Sequence, residues 1–194
     1  MRTSTARLTF MDSAISRTGL LWDTVLVVGF ACLTALFAQV SFWIGPVPIT
    51  GQTFAVLLTG ALLGSRRGAL SQLSYLAIGA TGIPYWFALG GPLGVARLVG
   101  PTGGYLVGFV AVAFLVGWLA ERGWDRRVWT AALVMLAGEA VLYVFGLSWL
   151  AHFIPGEKVL QLGLYPFIIG DLIKVTAAAL ILPSGWLLLR RFNN

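Results

Sequence analysis

The chain has 194 residues, 58% of them hydrophobic and only 10% charged, with a mean hydropathy of +0.88. A soluble globular domain carries about a quarter charged residues, so a water-soluble fold is excluded; at roughly 20 residues per span, about six spans fill the chain and leave no room for a second domain. The net charge of +6 could suit nucleic acid, but the basic residues stand between apolar runs rather than on a polar patch, and they read as membrane topology.

Residues 1–19 read as a charged N-terminal segment on the cytoplasmic side, and 20–194 as a single membrane domain. The first apolar run, over about 20–44, is too long for the core of a cleaved signal and has no small-residue cleavage site after it, so it reads as the first membrane helix. Within it Ala31 and Ala35 form a small-xxx-small pair, continued by Ala38, that lets another helix approach closely. That helix could belong to this bundle or to a second membrane subunit. Cys32 is the only cysteine and has no partner for a disulfide or a thiolate metal site.

The segment Gly45–Gln52 (GPVPITGQ) opens the first outer loop. Helices are expected at 52–64 and 67–80, both short for a bilayer, which implies that they tilt, stop part way or pack against loops buried in protein. A second outer loop follows over Thr81–Thr102 (TGIPYWFALGGPLGVARLVGPT). Loops of such length are functional or disordered, and the apolar and aromatic residues Ile83, Tyr85, Trp86, Phe87 and Leu89 argue against disorder. Tyr85, Trp86 and Tyr105 could stack on a flat apolar ligand.

The fourth helix, 103–121, is entered through GPTGGY. This stretch lacks the G-K-[ST] ending of a phosphate loop and reads as a tight turn, whose helix start could face an anion such as a carboxylate. In the fifth helix, 128–151, Glu139 lies at membrane depth without a basic neighbour in sequence; it is expected to be neutral and to donate a hydrogen bond between helices. Ser148 and the only histidine, His152, share a helix face at that helix's end, but without a nucleophile elbow they make a poor catalytic pair. No metal site is expected from one His and one Cys far apart.

The sixth helix, 163–189, places Asp171 and Lys174 about 10 Å below its outer end, on one face at i, i+3 spacing. An ionisable residue at such depth costs roughly 2.5–3.5 kcal/mol on insertion scales, so it faces a partner or a cavity. Two readings stay open: a structural ion pair that pins the helix, or a binding pair for a ligand with adjacent N–H and C=O groups. With both termini cytoplasmic, six spans put Arg2, Arg7, Arg17, Arg66, Arg67, Arg122, Arg126, Arg127, Arg190 and Arg191 inside and only Arg97 and Lys158 outside, as the positive-inside rule requires. The expected class is therefore an all-α integral membrane protein with six transmembrane helices.

Three motifs in order, GPVPITGQTFAVLLTGALLGSRRGALSQLSYLAIGATGIP, LVGPTGGYLVGF and PFIIGDLIKV, strongly resemble the BioY family, the biotin-specific S components of energy-coupling factor (ECF) transporters. The resemblance runs from about Ala31 to the end of the sixth helix. It implies a six-helix capsule in a prokaryotic cell membrane that binds biotin from outside. It also implies docking, through an AxxxA-type surface matched by Ala31 and Ala35, to a transmembrane scaffold subunit driven by two ATPase subunits. Asp171 and Lys174 align with the family's substrate-binding Asp and Lys. On that basis Asp171 accepts a ureido N–H, Lys174 donates to the ureido carbonyl and Arg97 takes the valerate carboxylate; alternatively Lys174 takes the carboxylate. Gln52, Tyr85 and Tyr105 follow as polar and stacking contacts, with Gly45–Gln52 as the gate. Biotin is then bound substrate, no cofactor is expected, and the chain is not an enzyme. The alternative is a self-sufficient, proton-coupled carrier for a vitamin-like substrate, using Glu139 or the Asp/Lys pair.

Overall fold

The structure is a computed structural model that describes residues 9–14 and 19–192. Arg2, Arg7 and Arg17, and with them most of the expected N-terminal segment, lie outside the described residues. In chain order a short helix α1 (Phe10–Ala14) precedes α2 (Leu20–Phe37), the strands β1 (Ser41–Trp43) and β2 (Pro48–Thr50), α3 (Gln52–Leu63) and α4 (Ser65–Ala80). Then come α5 (Val95–Val99), α6 (Gly103–Ala120), a 3₁₀ turn at Trp124–Arg126, α7 (Val128–Leu150), α8 (Gly156–Gly163) and α9 (Ile168–Phe192).

Among the described residues, four helices, α2, α6, α7 and α9, are long and apolar enough to cross a bilayer. With 12 residues in α3 and 16 in α4, these two rise only about 18 and 24 Å against a hydrocarbon core of about 30 Å. They are joined at Gly64, whose φ of 84° is open to glycine at little cost. A side chain there would also meet the Glu121 carboxylate at 2.6 Å.

Helix α6 is the axis of the bundle, flanked by α3, α4 and α7. Its window is 61% buried against 22% for α2. Two glycines make this possible. A Cβ on Gly60 of α3 would lie 2.6 Å from the Ala113 carbonyl, and one on Gly117 of α6 would lie 2.3 Å from the Gly64 backbone. The backbones thus approach as closely as small-residue packing in lipid allows.

Two expectations are corrected here. The first helix stops at Phe37 rather than near 44, and the chain turns into an antiparallel ribbon pairing Ser41 with Thr50 and Trp43 with Pro48. The run VSFWI is β-branched and aromatic, and Gly45 and Pro46 turn it back, so a strand replaces the last turns expected of the helix. The fold is therefore mostly helical rather than all-α. Likewise, Gly163, expected to begin the last helix, ends a separate α8; Leu164–Phe167 form a turn, and α9 starts at Ile168, two residues after Pro166.

The ribbon packs against the long 81–102 loop. Trp43 donates from Nε1 to the Leu89 carbonyl at 2.7 Å, and Gln39 donates to the Tyr85 carbonyl at 2.7 Å. Inside the loop Trp86 Nε1 donates to the Tyr75 carbonyl at 2.8 Å, and Phe87 meets the Tyr75 ring edge-on at 5.3 Å. The loop is ordered by its aromatics, for the reason its composition suggested. At the opposite end Arg66, Arg67, Arg122, Arg126, Arg127 and Arg190 line two clefts that share Trp124.

The pair Ala31 and Ala35 is buried in the main core with residues of α3, α4 and α6. The structure turns it inward, which corrects its reading as a docking surface. Of the two uses left open for small residues there, close packing within the bundle is the one observed. The exposed face of α2 instead presents Val25, Val28, Gly29, Cys32 and Leu36.

Candidate functional site

A cavity enclosing about 490 Å³, part of it open to solvent, lies between the ribbon, α3, α6, α7 and α9. Val47, Pro48 and Thr50 of the ribbon roof it, Phe87, Leu106, Phe109, Leu142 and Phe167 give it apolar walls, and Gln52, Arg97, Tyr105, Asp171 and Lys174 bring polar groups to it. Five of the six proposed substrate contacts thus line one cavity. Tyr85 does not: it is exposed, with a left-handed φ of 64°, and its backbone carbonyl, not its ring, makes the contact with Gln39.

Asp171 and Lys174 form the polar floor. Lys174 Nζ lies 3.0 Å from Asp171 Oδ1 and donates to Thr53 Oγ1 at 2.7 Å. The other Asp171 oxygen accepts from the Tyr143 hydroxyl. Both side chains are at least 86% buried, their exposures being 14% and 9%. A buried pair holds only when further hydrogen bonds satisfy the remaining lone pairs and protons, and Thr53 and Tyr143 do this. Lys174 keeps one of its three donors and Asp171 keeps lone pairs, so the pair retains capacity for a ligand.

Gln52, the first residue of α3, accepts at Oε1 from Thr50 Oγ1 at 2.7 Å and donates from Nε2 to the Tyr75 hydroxyl. The Tyr75 hydroxyl in turn donates to the Trp86 carbonyl at 3.2 Å. This chain of bonds ties the roof to α4 and the long loop. Tyr105 stacks on Phe167, with ring centroids 6.3 Å apart, and donates to the Gly163 carbonyl at 2.8 Å.

Arg97 is buried although it sits on the loop helix α5. Its Nη1 donates to the Gly90 carbonyl at 2.9 Å, and its guanidinium lies 5.0 Å from the centre of the Trp43 ring. Burial pulls its pKa below the ordinary arginine value, opposed by the field of Tyr75. Among the described residues no carboxylate pairs with it, and a desolvated guanidinium so placed favours an anion beside it.

Tyr143, Thr53 and Tyr75 escaped the sequence reading because a hydroxyl in an apolar run carries no signal by itself. For Tyr143 a cue existed, since it lies one turn beyond Glu139 on α7 and so on the same face. Glu139 is buried, and among the described residues neither of its carboxylate oxygens has a hydrogen-bond partner; the expected interhelical donation is not found there. Ser148 donates to carbonyls of its own helix, those of Val144 at 2.6 Å and Phe145 at 3.2 Å, and is not aimed at His152. Among the described residues no cluster of three metal-ligating side chains occurs.

Comparison with known proteins follows the same lines. The family model described as "BioY family" matches residues 6–191. A "probable biotin transporter BioY" of Pyrococcus horikoshii is 42% identical over 159 residues, covering 82% of this chain and 93% of that protein. The "biotin transporter BioY" of Thermotoga maritima is 41% identical over 155 residues, covering 78% of this chain and 88% of its own length. The crystal structure of an S-component for biotin from an ECF-type ABC transporter superposes with a TM-score of 0.73 at 27% identity, covering 84% of this chain and 90% of that one.

Proposed function

The chain belongs to the BioY family, and from that premise we propose that it is a membrane subunit that binds biotin in the cavity beneath the ribbon and delivers it inward with an ECF-type, ATP-driven module. The observation that carries this reading is the convergence on one cavity of a buried Asp171–Lys174 pair with donor and acceptor capacity to spare and a separate buried arginine, Arg97. Biotin offers the matching parts: a ureido group with two N–H donors and one carbonyl, an apolar bicycle and a carboxylate. Asp171 accepts an N–H, Lys174 donates to the carbonyl, the apolar walls take the bicycle and Arg97 takes the carboxylate.

Six spans with both termini cytoplasmic put the arginine-rich end inside and the ribbon outside, with α3 and α4 counted as short spans against α6. Residues 20–194 then act as one capsule in the cell membrane. Biotin enters as substrate and not as a resident cofactor, and no chemistry is asked of the chain itself. Energy comes from outside it, through a scaffold subunit and two ATPases.

Isothermal titration of the purified protein with biotin tests the reading. Binding at micromolar protein or tighter supports it, and absence of heat overturns it. Titration with biotin methyl ester assigns the ends of the ligand. If Arg97 holds the carboxylate, the ester loses affinity in wild type but not further in Arg97→Gln; if Lys174 holds it, the same convergence appears in Lys174→Ala.

A further inference from the structure

The arginine-rich end carries two clefts with opposite charge balance. In the first, acids answer bases. Arg67 bonds Asp12 at 2.6 Å and Asp23 at 3.2 Å, and Glu121 accepts from the Ser65 amide at 2.7 Å and its hydroxyl at 2.8 Å. The second lies between the 3₁₀ turn, the start of α7 and the end of α9. It is lined by Gly123, Trp124, Arg126, Arg127, Thr130 and Arg190, and by no carboxylate. Asp125, the nearest acid in sequence, is fully buried, with Oδ2 held by Trp186 Nε1 at 2.6 Å; it feels the field of Arg126 but does not line the cleft.

Among the described residues no carboxylate pairs with Arg126, Arg127 or Arg190. Arg126 is fixed in place: its guanidinium lies over Trp186 at 4.5 Å, and its Nε is buried without an acceptor. Three guanidiniums in one cleft repel each other, and the repulsion is relieved by an anion that accepts from more than one of them. A phosphate offers that geometry. One turn deeper, Leu133 on α7 and Leu187 on α9 are exposed, and Trp129 beside the cleft is 84% exposed, which gives apolar surface directly below the charge. A general bias of arginines toward this end accounts for their number, but not for three gathered in a cleft that no carboxylate lines, beside one lined by three.

We propose that this second cleft seats the phosphate of an acidic phospholipid, with its acyl chains lying along the exposed faces of α7 and α9. The site is independent of what the ribbon-end cavity binds. A basic pocket at a membrane boundary above apolar helix faces is the arrangement that recognises such headgroups.

The test is native mass spectrometry of the full chain released from nanodiscs of equal parts phosphatidylglycerol and phosphatidylcholine. Wild type is expected to retain phosphatidylglycerol selectively, and Arg127→Gln/Arg190→Gln to reduce that selectivity on the order of tenfold. Lys158→Gln, at the other end of the molecule, is expected to leave it unchanged. Biotin titration of each variant verifies that the fold is intact. Equal retention of both lipids by wild type, or undiminished selectivity in the double variant, overturns the proposal. So does tight binding of inorganic phosphate in lipid-free detergent, which would make the free ion the occupant. Loss of a partner subunit from the double variant with unchanged lipid selectivity would assign the cleft to protein contact and overturn it as well.

Discussion

The two ends of the bundle use charge in opposite ways. At the ribbon end the charged groups that line the cavity are buried, and each is placed by neighbours: Asp171 by Tyr143, Lys174 by Thr53, Arg97 by Gly90 and Trp43. At the arginine end the charges are many and mostly at the surface, where Arg67 shares two partly exposed carboxylates. The difference follows from the cost of desolvation. A surface ion pair contributes about 0–1 kcal/mol and is screened by salt, whereas a buried pair is strongly coupled to whatever fills the space around it. The ribbon end is therefore where a bound molecule would meet charges that water screens least.

Lys174→Ala should have the largest effect, because it leaves Asp171 buried and unpaired. Biotin affinity is expected to fall roughly hundredfold or more, given about 2–5 kcal/mol for truncating one partner of a buried charge pair. Isothermal titration reads this, and unchanged affinity would break the comparison at its strongest point. Tyr143→Phe keeps the ring and removes one bond to Asp171, so a loss of roughly tenfold is expected, near 1.4 kcal/mol, in the same titration. Trp186→Phe probes the arginine end by freeing a buried oxygen of Asp125. It should cost about 1 kcal/mol in thermal stability, measured by a melting scan in detergent, and leave biotin affinity within twofold. A large loss of binding there would show that the two ends are coupled. The smallest effect is expected for Tyr85→Ala, whose ring lies outside the cavity: affinity should stay within about twofold, since exposed substitutions usually change free energies by no more than about 0.5 kcal/mol.

Glu139 fits neither pattern. It is buried like the cavity-lining charges but has no hydrogen-bond partner among the described residues, and biotin binding as proposed gives it no role. Exchange for an apolar residue of similar size is expected to preserve biotin binding and to raise stability by about 1–3 kcal/mol, judged by thermal melting. A proton-coupled carrier would instead lose uptake into liposomes that hold this chain alone.

Much of the fold was legible from residue order, because a bilayer demands long apolar runs and sets their limits with charge, Gly and Pro. The expected ends of the helices at 52–64, 103–121 and 128–151 each fall within one residue of α3, α6 and α7. The misplaced ends are those where an apolar run changes secondary structure without losing hydrophobicity. VSFWI continues α2 in hydropathy but pairs as a strand, and Leu164–Phe167 are apolar yet form the turn between α8 and α9.

Asp171 and Lys174 stood out in sequence because charge at membrane depth is rare and their spacing alone puts them on one face. Which face of α2 its small residues occupy, and which hydroxyls complete the floor, could not be read that way. Ala31 and Ala35 are equally compatible with an inward and an outward face until α3 and α4 are packed against them. Thr53 lies 121 positions from Lys174 in sequence, and Tyr143 lies 28 from Asp171. Composition and spacing thus determined that this is a membrane bundle with one costly ion pair. Only tertiary packing decided what satisfies that pair, because a hydrogen bond across helices depends on how the helices dock and not on the order of residues within either one.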